Sequence, residues 1–529
     1  MNGCRERTNF AYFIGPICEE AIIARHAEHQ ALALPVRPPG VPIHRWLYAE
    51  MRAAILNGRL ASGQRLPPTR DLAHQFGIAR GTAVAVFEQL AAEGYVTAAA
   101  GRGTHVASSL PDGLFTAAIP RARPPKTSGR AIGLSDRARP LTRSPFPLTG
   151  PTTASGAFRA GQPDLMAFPV TLWSRIGNRI ARRNQRLLLG AGDVAGYRPL
   201  REAIAAYLGT SRGIRCSAEQ IVLVASVQQG LDLCVRLLVN PNESVWMEDP
   251  GYPAARSVLE AADPKTISVP VDAEGVDVAA GRRFAPSAKF VYVTPGRQYP
   301  LGVTLSLRRR LELLRWAEQS GAVIFEDDYD SEFRFSGPPL AALKSLDSID
   351  RVVYAGTFSK LLFPAIRLAY LVLPERLVDL FIAALSLTTR HMPTWNQAIL
   401  SDFIAEGHFS RHLRRMRTLY SERAQALQEA AQTYWSDFLV MARIESGLDT
   451  AVLLRPRIDD RAAAATAARA NIEVRPLSGH SQRRPRLRGF VVGFAAVDPR
   501  SIFDGACRLA QILEEQVSTS KAHRPVSRR

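Results

Sequence analysis

The chain has 529 residues, which is enough for two or three domains and at least one large hydrophobic core. Its 46% hydrophobic and 22% charged residues are typical of a soluble globular protein, and no apolar stretch reaches the length of a membrane span. The N-terminus lacks the pattern of a signal peptide. Five widely spaced cysteines predict reduced thiols in a cytoplasmic protein. The formal net charge of +19 favours a polyanionic partner and argues against a simple metabolic enzyme.

Residues 41–108 have the pattern of three short helices followed by a hairpin. Apolar residues recur at helical spacing from Ile43 to Ile55, and shorter helices are predicted after Thr69 and over residues 80–93. Two short strands flank Gly101-Arg102-Gly103, as in a β-hairpin wing. This order of elements predicts a winged helix-turn-helix domain.

Such a domain predicts contacts with double-stranded DNA. A helix-turn-helix inserts its second helix into the major groove, while basic side chains hold the phosphates. Arg70 opens the first helix of the pair, Arg80 opens the recognition helix, and Thr82 lies one step into it. Arg102 and Gly103 at the wing tip suit the minor groove or the backbone. The alternative is that these arginines are only solvated surface charges.

Three further segments are predicted to lie outside the folded domains. Residues 1–40 show no convincing periodicity and are expected to be an N-terminal extension, with disorder as one possibility. Residues 109–155 are rich in proline and basic side chains, which predicts an extended linker attracted to DNA. Residues 516–529 are expected to form a basic tail.

Residues 156–515 predict a second, larger domain of the α/β class. Helical stretches alternate there with short apolar strands, which indicates a mostly parallel sheet covered by helices. The predicted strands include Ile221–Val224, Phe290–Val293, Val323–Phe325 and Val352–Tyr354.

A lysine loop in this domain indicates a site for pyridoxal 5'-phosphate (PLP). The cofactor needs a lysine for its Schiff base, a carboxylate at the pyridine nitrogen, donors for the phosphate, and an aromatic ring against the pyridine. Lys360 fits the first role, because it ends a Gly-Thr-Phe-Ser-Lys turn that follows an apolar strand. Thr357, Ser359 and Arg367 are the predicted phosphate donors in the same segment.

The carboxylate and the remaining phosphate donors are predicted at two other places. The strand at Val323–Phe325 leads into an acidic cluster that contains Asp327, and such a strand end faces the crevice where α/β sheets bind ligands. Helix N-terminal amides bind anions, so the segment Ser226, Val227 and Gln228 is expected to hold the phosphate. The alternative is that the acidic cluster binds a hard cation, but it lacks the spacing of a calcium loop, and no metal site is predicted.

These motifs resemble those of a known family. Residues 42–107 resemble the winged-helix domain of GntR-type regulators, in Leu-Pro-x-x-Arg-x-Leu-Ala, Phe-Glu-Gln-Leu-x-x-Glu-Gly-Tyr and Gly-x-Gly-Thr. Residues from about 156 to 515 look like a fold-type I aminotransferase domain. The segments that carry this likeness are Gly196–Arg201, Glu248–Pro253, Glu326–Arg334 and Thr357–Lys360. The whole chain is similar to the MocR family of GntR regulators.

The resemblance implies roles for individual residues. Lys360 would form the Schiff base, and Asp327 would pair with the pyridine nitrogen. Tyr329 would contact the phenolic oxygen of the ring, and Arg367 the phosphate. The remaining candidates are Tyr252 for stacking and Tyr299 or Gln298 for the face where aminotransferases often place an asparagine.

Several positions depart from the family pattern. Ala79 and Gly81 stand where Ser and Asn are usual in the recognition helix, and Ser226 stands where phosphate loops commonly have Gly. Gly296-Arg297 replaces Ser-His. Gly479-His480 stands where an Arg and aromatics are expected, so the arginine that binds a substrate carboxylate is not evident. Its possible substitutes are Arg475 and Arg488.

The favoured hypothesis is a homodimeric transcriptional regulator that binds operator DNA and senses PLP or an amine through its aminotransferase-like domain. The rival is an active aminotransferase with an appended DNA-binding domain. A third is a regulator whose cofactor site no longer functions. The missing substrate arginine favours sensing over turnover.

Overall fold

The computed structural model describes residues 32–99, 103–110, 133, 156–183, 185–337, 340–455, 458–483 and 487–522. The chain divides into two compact units, with the division between residues 132 and 133. Most of the predicted linker at 109–155, the wing-tip residue Arg102 and the two cysteines nearest the N-terminus lie outside the described residues.

The first unit has the predicted order of three helices and a hairpin. Its elements are α1 (Ile43–Leu56), α2 (Thr69–Gln75), α3 (Arg80–Ala92), β1 (Val96–Ala99) and β2 (Gly103–Val106). The two strands pair antiparallel, with Val96 opposite Val106. Gly103 opens β2 with a φ of +84°, a conformation that glycine adopts without steric cost.

One apolar cluster holds this unit together. Trp46, Leu47 and Met51 of α1 pack there with the buried faces of α2 and α3. Leu32, in the segment expected to be an extension, is also buried in this cluster, and its backbone N–H donates to Oε1 of Gln75 at 3.1 Å. The packed unit therefore begins before residue 41.

The second unit carries the remaining helices and strands. The helices are α4 (Val170–Arg183), α5 (Gln185–Leu189), α6 (Arg198–Ser211), α7 (Val227–Leu238), α8 (Pro253–Ala261), α9 (Val278–Phe284), α10 (Leu307–Ser320), α11 (Val378–Thr388), α12 (Thr394–Ala405), α13 (His408–Tyr434), α14 (Asp460–Arg469) and α15 (Pro499–Ala522). The strands are β3 (Ile221–Val224), β4 (Ser244–Asp249), β5 (Lys265–Asp272), β6 (Gly275–Val276), β7 (Phe290–Val293), β8 (Val323–Asp328), β9 (Val352–Thr357), β10 (Ala369–Val372), β11 (Leu439–Met441), β12 (Asp449–Leu454), β13 (Arg475–Pro476) and β14 (Gly489–Gly493). Helix α15 extends to residue 522, into the segment expected to be a tail.

An eight-stranded sheet forms the centre of this unit, in the order β3-β10-β9-β8-β7-β4-β5-β6. Strands β5, β4, β7, β8 and β9 run parallel, whereas β10 is antiparallel to both of its neighbours. Every residue of β3, β7 and β9 is buried, as expected for strands covered by helices on both faces. The predicted mostly parallel α/β class is confirmed.

A second, four-stranded antiparallel sheet lies in the C-terminal part of the chain, in the order β11-β12-β14-β13. Its register pairs Val491 of β14 with Ala451 of β12 on one side and with Arg475 of β13 on the other. The long helix α13 packs against α15 beside it. This sheet contributes two charged side chains to the site below.

In the part of the chain that the structure describes, no helix combines the length and apolar character that crossing a membrane requires. Cys216, Cys234 and Cys507 are free thiols.

Candidate functional site

A cavity of about 530 Å³ lies at the carboxyl ends of the parallel strands, the edge at which α/β sheets bind ligands. All eleven residues predicted for the cofactor line it: Ser226, Val227, Gln228, Tyr252, Tyr299, Asp327, Tyr329, Thr357, Ser359, Lys360 and Arg367. The structure therefore brings together residues that are up to 141 positions apart, from 226 to 367. The role expected for each residue depends in addition on the contacts that its side chain makes.

Lys360 lies in the turn that follows β9. Its Nζ donates a 2.6 Å hydrogen bond to the backbone oxygen of Gly161. Burial lowers the pKa of the Lys360 amine, although the nearby Asp449 carboxylate opposes this. A lowered pKa raises the fraction of neutral amine, which is the nucleophilic form.

Asp327 is buried near the end of β8, and its two oxygens differ in their surroundings. The hydroxyl of Tyr292 on β7 donates to Oδ2 at 2.6 Å. Oδ1 is buried and has no hydrogen-bond partner among the described residues. Burial raises the pKa of this carboxyl to about 7, although the bond from Tyr292 acts in the opposite direction. A buried acceptor without a partner is costly, so Oδ1 is suited to a ligand N–H.

The N-terminus of α7 forms another wall of the cavity. The Ser226 side chain caps this helix by accepting from the backbone N–H of Gln229 at 3.1 Å. The first amides of a helix have no partner within it and attract anions. Ser226 thus replaces the usual glycine with a side chain that fixes the start of the helix. Arg367, with an unusual φ of +50°, lines the cavity as well.

Three tyrosines form the aromatic part of the lining. The rings of Tyr252 and Tyr299 meet edge to face with centroids 5.5 Å apart, and Tyr299 meets Tyr329 in the same way at 6.1 Å. Gln298, the alternative to Tyr299, does not line the cavity, because its side chain donates to the backbone oxygens of Pro250 and Tyr299. Of that pair, Tyr299 is therefore the residue placed to contact a ligand.

Arg297, one of the departures from the family pattern, is buried behind the lining. Its Nη1 donates to the hydroxyl of Tyr329 at 3.0 Å and to Oδ1 of Asp449 at 3.1 Å. It also pairs with Asp330 at 3.3 Å. This arginine therefore connects the loop after β8 to the start of β12.

The acidic cluster after β8 is engaged by protein groups. Arg212 pairs with Asp328 and Glu332, each at 2.9 Å, and the hydroxyl of Tyr354 donates to Asp328 at 2.7 Å. In the described ranges, no group of three or more His, Cys, Asp or Glu side chains is arranged to hold a metal ion. The cluster thus acts as a buried charge network beside the cavity.

The two candidate substitutes for the missing substrate arginine lie in different places. Arg475 of β13 lines the cavity beside Tyr299. Arg488 is outside the lining, and its Nη1 donates to the backbone oxygen of Ile458 at 3.2 Å. His480 packs against Tyr299 with ring centroids 5.4 Å apart, and burial lowers the pKa of its imidazole to about 4. Arg475 is the candidate that a ligand in the cavity could reach.

The candidate DNA-contacting residues lie on the first unit. Arg80 is the first residue of α3 and Arg70 the second of α2, and both side chains are exposed. Thr82 follows in the first turn of α3. Ala79 precedes that helix in an extended conformation, and no side chain caps it. Arg102 lies outside the described residues.

The sequence interpretation missed several residues of the cavity. Tyr292 contacts Asp327, Gly161 contacts Lys360, and Asp449 also lines the cavity. Tyr292 had a usable signal, because a tyrosine in an apolar strand such as β7 needs a partner for its hydroxyl. The other lining residues that were not singled out are Ala160, Thr294 and Pro364.

Two family descriptions match this chain. Residues 44–106 match the gntR family of bacterial regulatory proteins, and residues 158–480 match the class I and II aminotransferases. The chain is 38% identical to the probable rhizopine catabolism regulatory protein MocR of Rhizobium meliloti, over 89% of this chain and 93% of that protein. It is 30% identical to the pyridoxine biosynthesis regulator PdxR of Corynebacterium glutamicum, over 88% and 94%.

Among solved structures, the chain is similar to the kynurenine aminotransferase of Pyrococcus horikoshii, which was crystallised with PMP. The TM-score is 0.65 at 29% identity, covering 69% of this chain and 92% of that one. The regulators match nearly the whole chain, whereas the class I and II aminotransferase description matches residues within the second unit, which agrees with the two units described above.

Proposed function

This chain belongs to the MocR-type family of GntR transcriptional regulators, and from that membership we propose that PLP held in the cavity couples an amine signal to DNA binding. The observation that carries the proposal is the buried, unpartnered Oδ1 of Asp327 in the same cavity as Lys360, among the residues described. A protonated pyridine nitrogen would satisfy that oxygen. The cavity volume of about 530 Å³ also lies within the usual range for small-molecule sites.

The other lining residues fit the remaining parts of the cofactor. The N-terminus of α7, with the Thr357 and Ser359 hydroxyls and Arg367, would bind the phosphate. Tyr329 would donate to the phenolic oxygen, and Tyr252 and Tyr299 would contact the ring. When bound, PLP supplies an aldehyde that reacts with primary amines. Lys360 would hold the cofactor in place through its amine.

On the DNA side, α3 would enter the major groove. Arg80 and Thr82 would reach base edges, and Arg70 would hold a phosphate. Arg102 and Gly103 would contact DNA from the wing. A homodimer in the cytoplasm would present two such units to paired half-sites. An amine that binds one arrangement of the dimer better than another would then change the affinity for the operator.

A second candidate function is transamination. The contacts of Lys360 and Asp327 favour transamination, because an amine and a carboxylate are the groups that amine chemistry on PLP requires. The two functions differ in turnover. Rapid conversion of an amino donor and a keto acid into products would favour the enzyme over the regulator.

The test compares wild-type protein with Lys360→Ala and, as a control, Lys344→Ala. Lys344 is a buried lysine that pairs with Asp350 at 2.8 Å away from the cavity lining. After unbound PLP is removed, we expect the absorbance band of the lysine Schiff base with wild type and Lys344→Ala but not with Lys360→Ala. Gel shifts with operator DNA, with and without PLP and an amine, should then respond to the ligand only where the band is present. A Schiff-base band that persists in Lys360→Ala would count against the proposal.

A further inference from the structure

Near Lys360, the cavity lining includes an acidic side chain that is held in an unusual way. Asp449 begins β12 and is buried, and its Oδ1 accepts from Arg297 at 3.1 Å. Arg297 shares its positive charge with a second carboxylate, that of Asp330. The single positive charge of Arg297 is therefore divided between two carboxylates, those of Asp449 and Asp330.

The chain makes room for this pair. A Cβ on Gly447 would lie 2.5 Å from the Nε of Arg297, and Gly447 has a φ of +91°. Both facts require glycine at this position. The loop before β12 is therefore shaped to admit the Arg297 side chain, which replaces the histidine of the family pattern.

The other carboxylate oxygen of Asp449 faces the interior of the site. A Cβ placed on Gly161 would lie 3.7 Å from Oδ2 of Asp449 and 2.8 Å from Nζ of Lys360. The Lys360 amine and the Asp449 carboxylate thus both lie near the same position, that of a Cβ on Gly161. An acceptor oxygen beside the reacting amine is placed to receive a hydrogen bond from a bound molecule.

Arg475 lies on the same face of the small sheet as Asp449. Paired residues of an antiparallel sheet share a face, so Arg475 lies with Val491 and Ala451, and Asp449 is two residues before Ala451. Arg475 also interacts with Tyr299. The small sheet therefore presents one cation and one anion to the cavity, separated by two strand spacings of about 5 Å each across the sheet and by two residues, about 7 Å, along it.

We propose that this charge pair selects the effector: a primary amine that carries one acidic group, bound by Arg475, and one further hydrogen-bond donor, bound by Asp449. Asp449 also disfavours a second acidic group, because two carboxylates would then face each other in a buried site. The proposal rests on the proposed function, since the effector is taken to react beside Lys360.

The test measures the affinity of four amines for PLP-loaded, full-length protein by calorimetry. L-serine has an acid and a donor, L-alanine has the acid alone, ethanolamine has the donor alone, and L-aspartate has a second acid. We expect wild type to prefer L-serine to each of the others by about tenfold, the value of one charge-assisted hydrogen bond.

The variants separate the two groups. Arg475→Gln should weaken L-serine about tenfold and leave ethanolamine unchanged, whereas Asp449→Asn should remove the preference for L-serine over L-alanine and improve L-aspartate. Arg488→Gln, which removes an arginine outside the cavity, is the matched control. An Asn at 449 can still accept from Arg297, so the wall should keep its shape.

Different results would contradict the effector proposal and the proposed function. If wild type takes up no PLP, the proposed function is wrong. If PLP uptake is normal but L-serine and L-aspartate bind equally or not at all, the effector proposal alone is overturned. It is also overturned if the amines rank in the same order in Arg475→Gln and Asp449→Asn as in wild type.

Discussion

The hydroxyl of Tyr292 donates a 2.6 Å hydrogen bond to Oδ2 of Asp327, and both side chains are buried on adjacent parallel strands. Tyr292 is in register with Phe325, two residues before Asp327, so the strand pairing places the two on one face of the sheet. The bond orients the carboxylate and leaves its other oxygen for a ligand.

Tyr292→Phe should therefore weaken PLP binding by about tenfold, because a charge-assisted hydrogen bond in a buried site is worth about 1.5–3 kcal/mol. Loss of the bond also removes a contact that lowers the pKa of Asp327. The dissociation constant of PLP, followed by visible absorbance, measures the effect. Tyr354→Phe is the control, since it removes a similar bond to Asp328, which does not line the cavity. Equal losses in both variants would contradict the assignment.

The raised pKa of Asp327 predicts a pH dependence of stability without PLP. The carboxyl has a reference pKa of 3.8 and a folded-state pKa of about 7. The folded state then holds the proton more tightly, so this group's contribution to stability falls as the pH rises from about 4 to about 7. Relative to Asp327→Asn, wild type should lose about 2 kcal/mol of unfolding free energy between pH 5 and pH 8. Thermal unfolding at the two pH values is the measurement, and a constant difference between the proteins would refute the prediction.

Gly161→Ala should displace Lys360. A Cβ there would lie 2.8 Å from Nζ, and the φ of +68° adds backbone strain. We expect a weakened or shifted PLP absorbance band. Gly321→Ala is the matched control, because that glycine has a similar φ of +71° but no atom within 4 Å of the added Cβ. If both variants bind PLP like wild type, Gly161 does not position the lysine.

Arg80→Ala should reduce specific operator binding by roughly 1–3 kcal/mol and leave the PLP band intact. Gel-shift titrations against operator and unrelated DNA measure both affinity and specificity. Arg315→Ala removes an arginine that is also exposed, from α10 in the other unit, and should have little effect. Unchanged operator affinity in Arg80→Ala would remove this residue from the recognition helix's contacts.

Ala79→Ser should stabilise α3, since a serine at this extended position can accept a backbone N–H of the first turn. The expected gain is about 1 kcal/mol, seen as slower amide hydrogen exchange in Arg80–Ala92. Ala91→Ser, near the other end of the helix and also exposed, serves as the control. Faster exchange in Ala79→Ser than in wild type would contradict the capping argument.

Much of the fold was predictable, because its signals are local. Apolar spacing identified the helices of the first unit, and short runs of apolar residues identified β3 and β7 with the bounds that the structure has. The strand that begins at Val323 is longer than its apolar part, since Glu326, Asp327 and Asp328 continue it to the cavity. Apolar content marks the interior of a strand better than its end.

The sequence by itself determined the two-part architecture, the family and the candidates that line the cavity, because turns, helix starts and strand ends depend on short stretches of chain. Only the tertiary structure decided which groups meet: Gly161 with Lys360 across 199 positions, Arg297 with Asp449 across 152, and Arg475 rather than Arg488 at the cavity wall. The physical reason is that strand order and register set these contacts, and both are determined by the packing of the whole sheet.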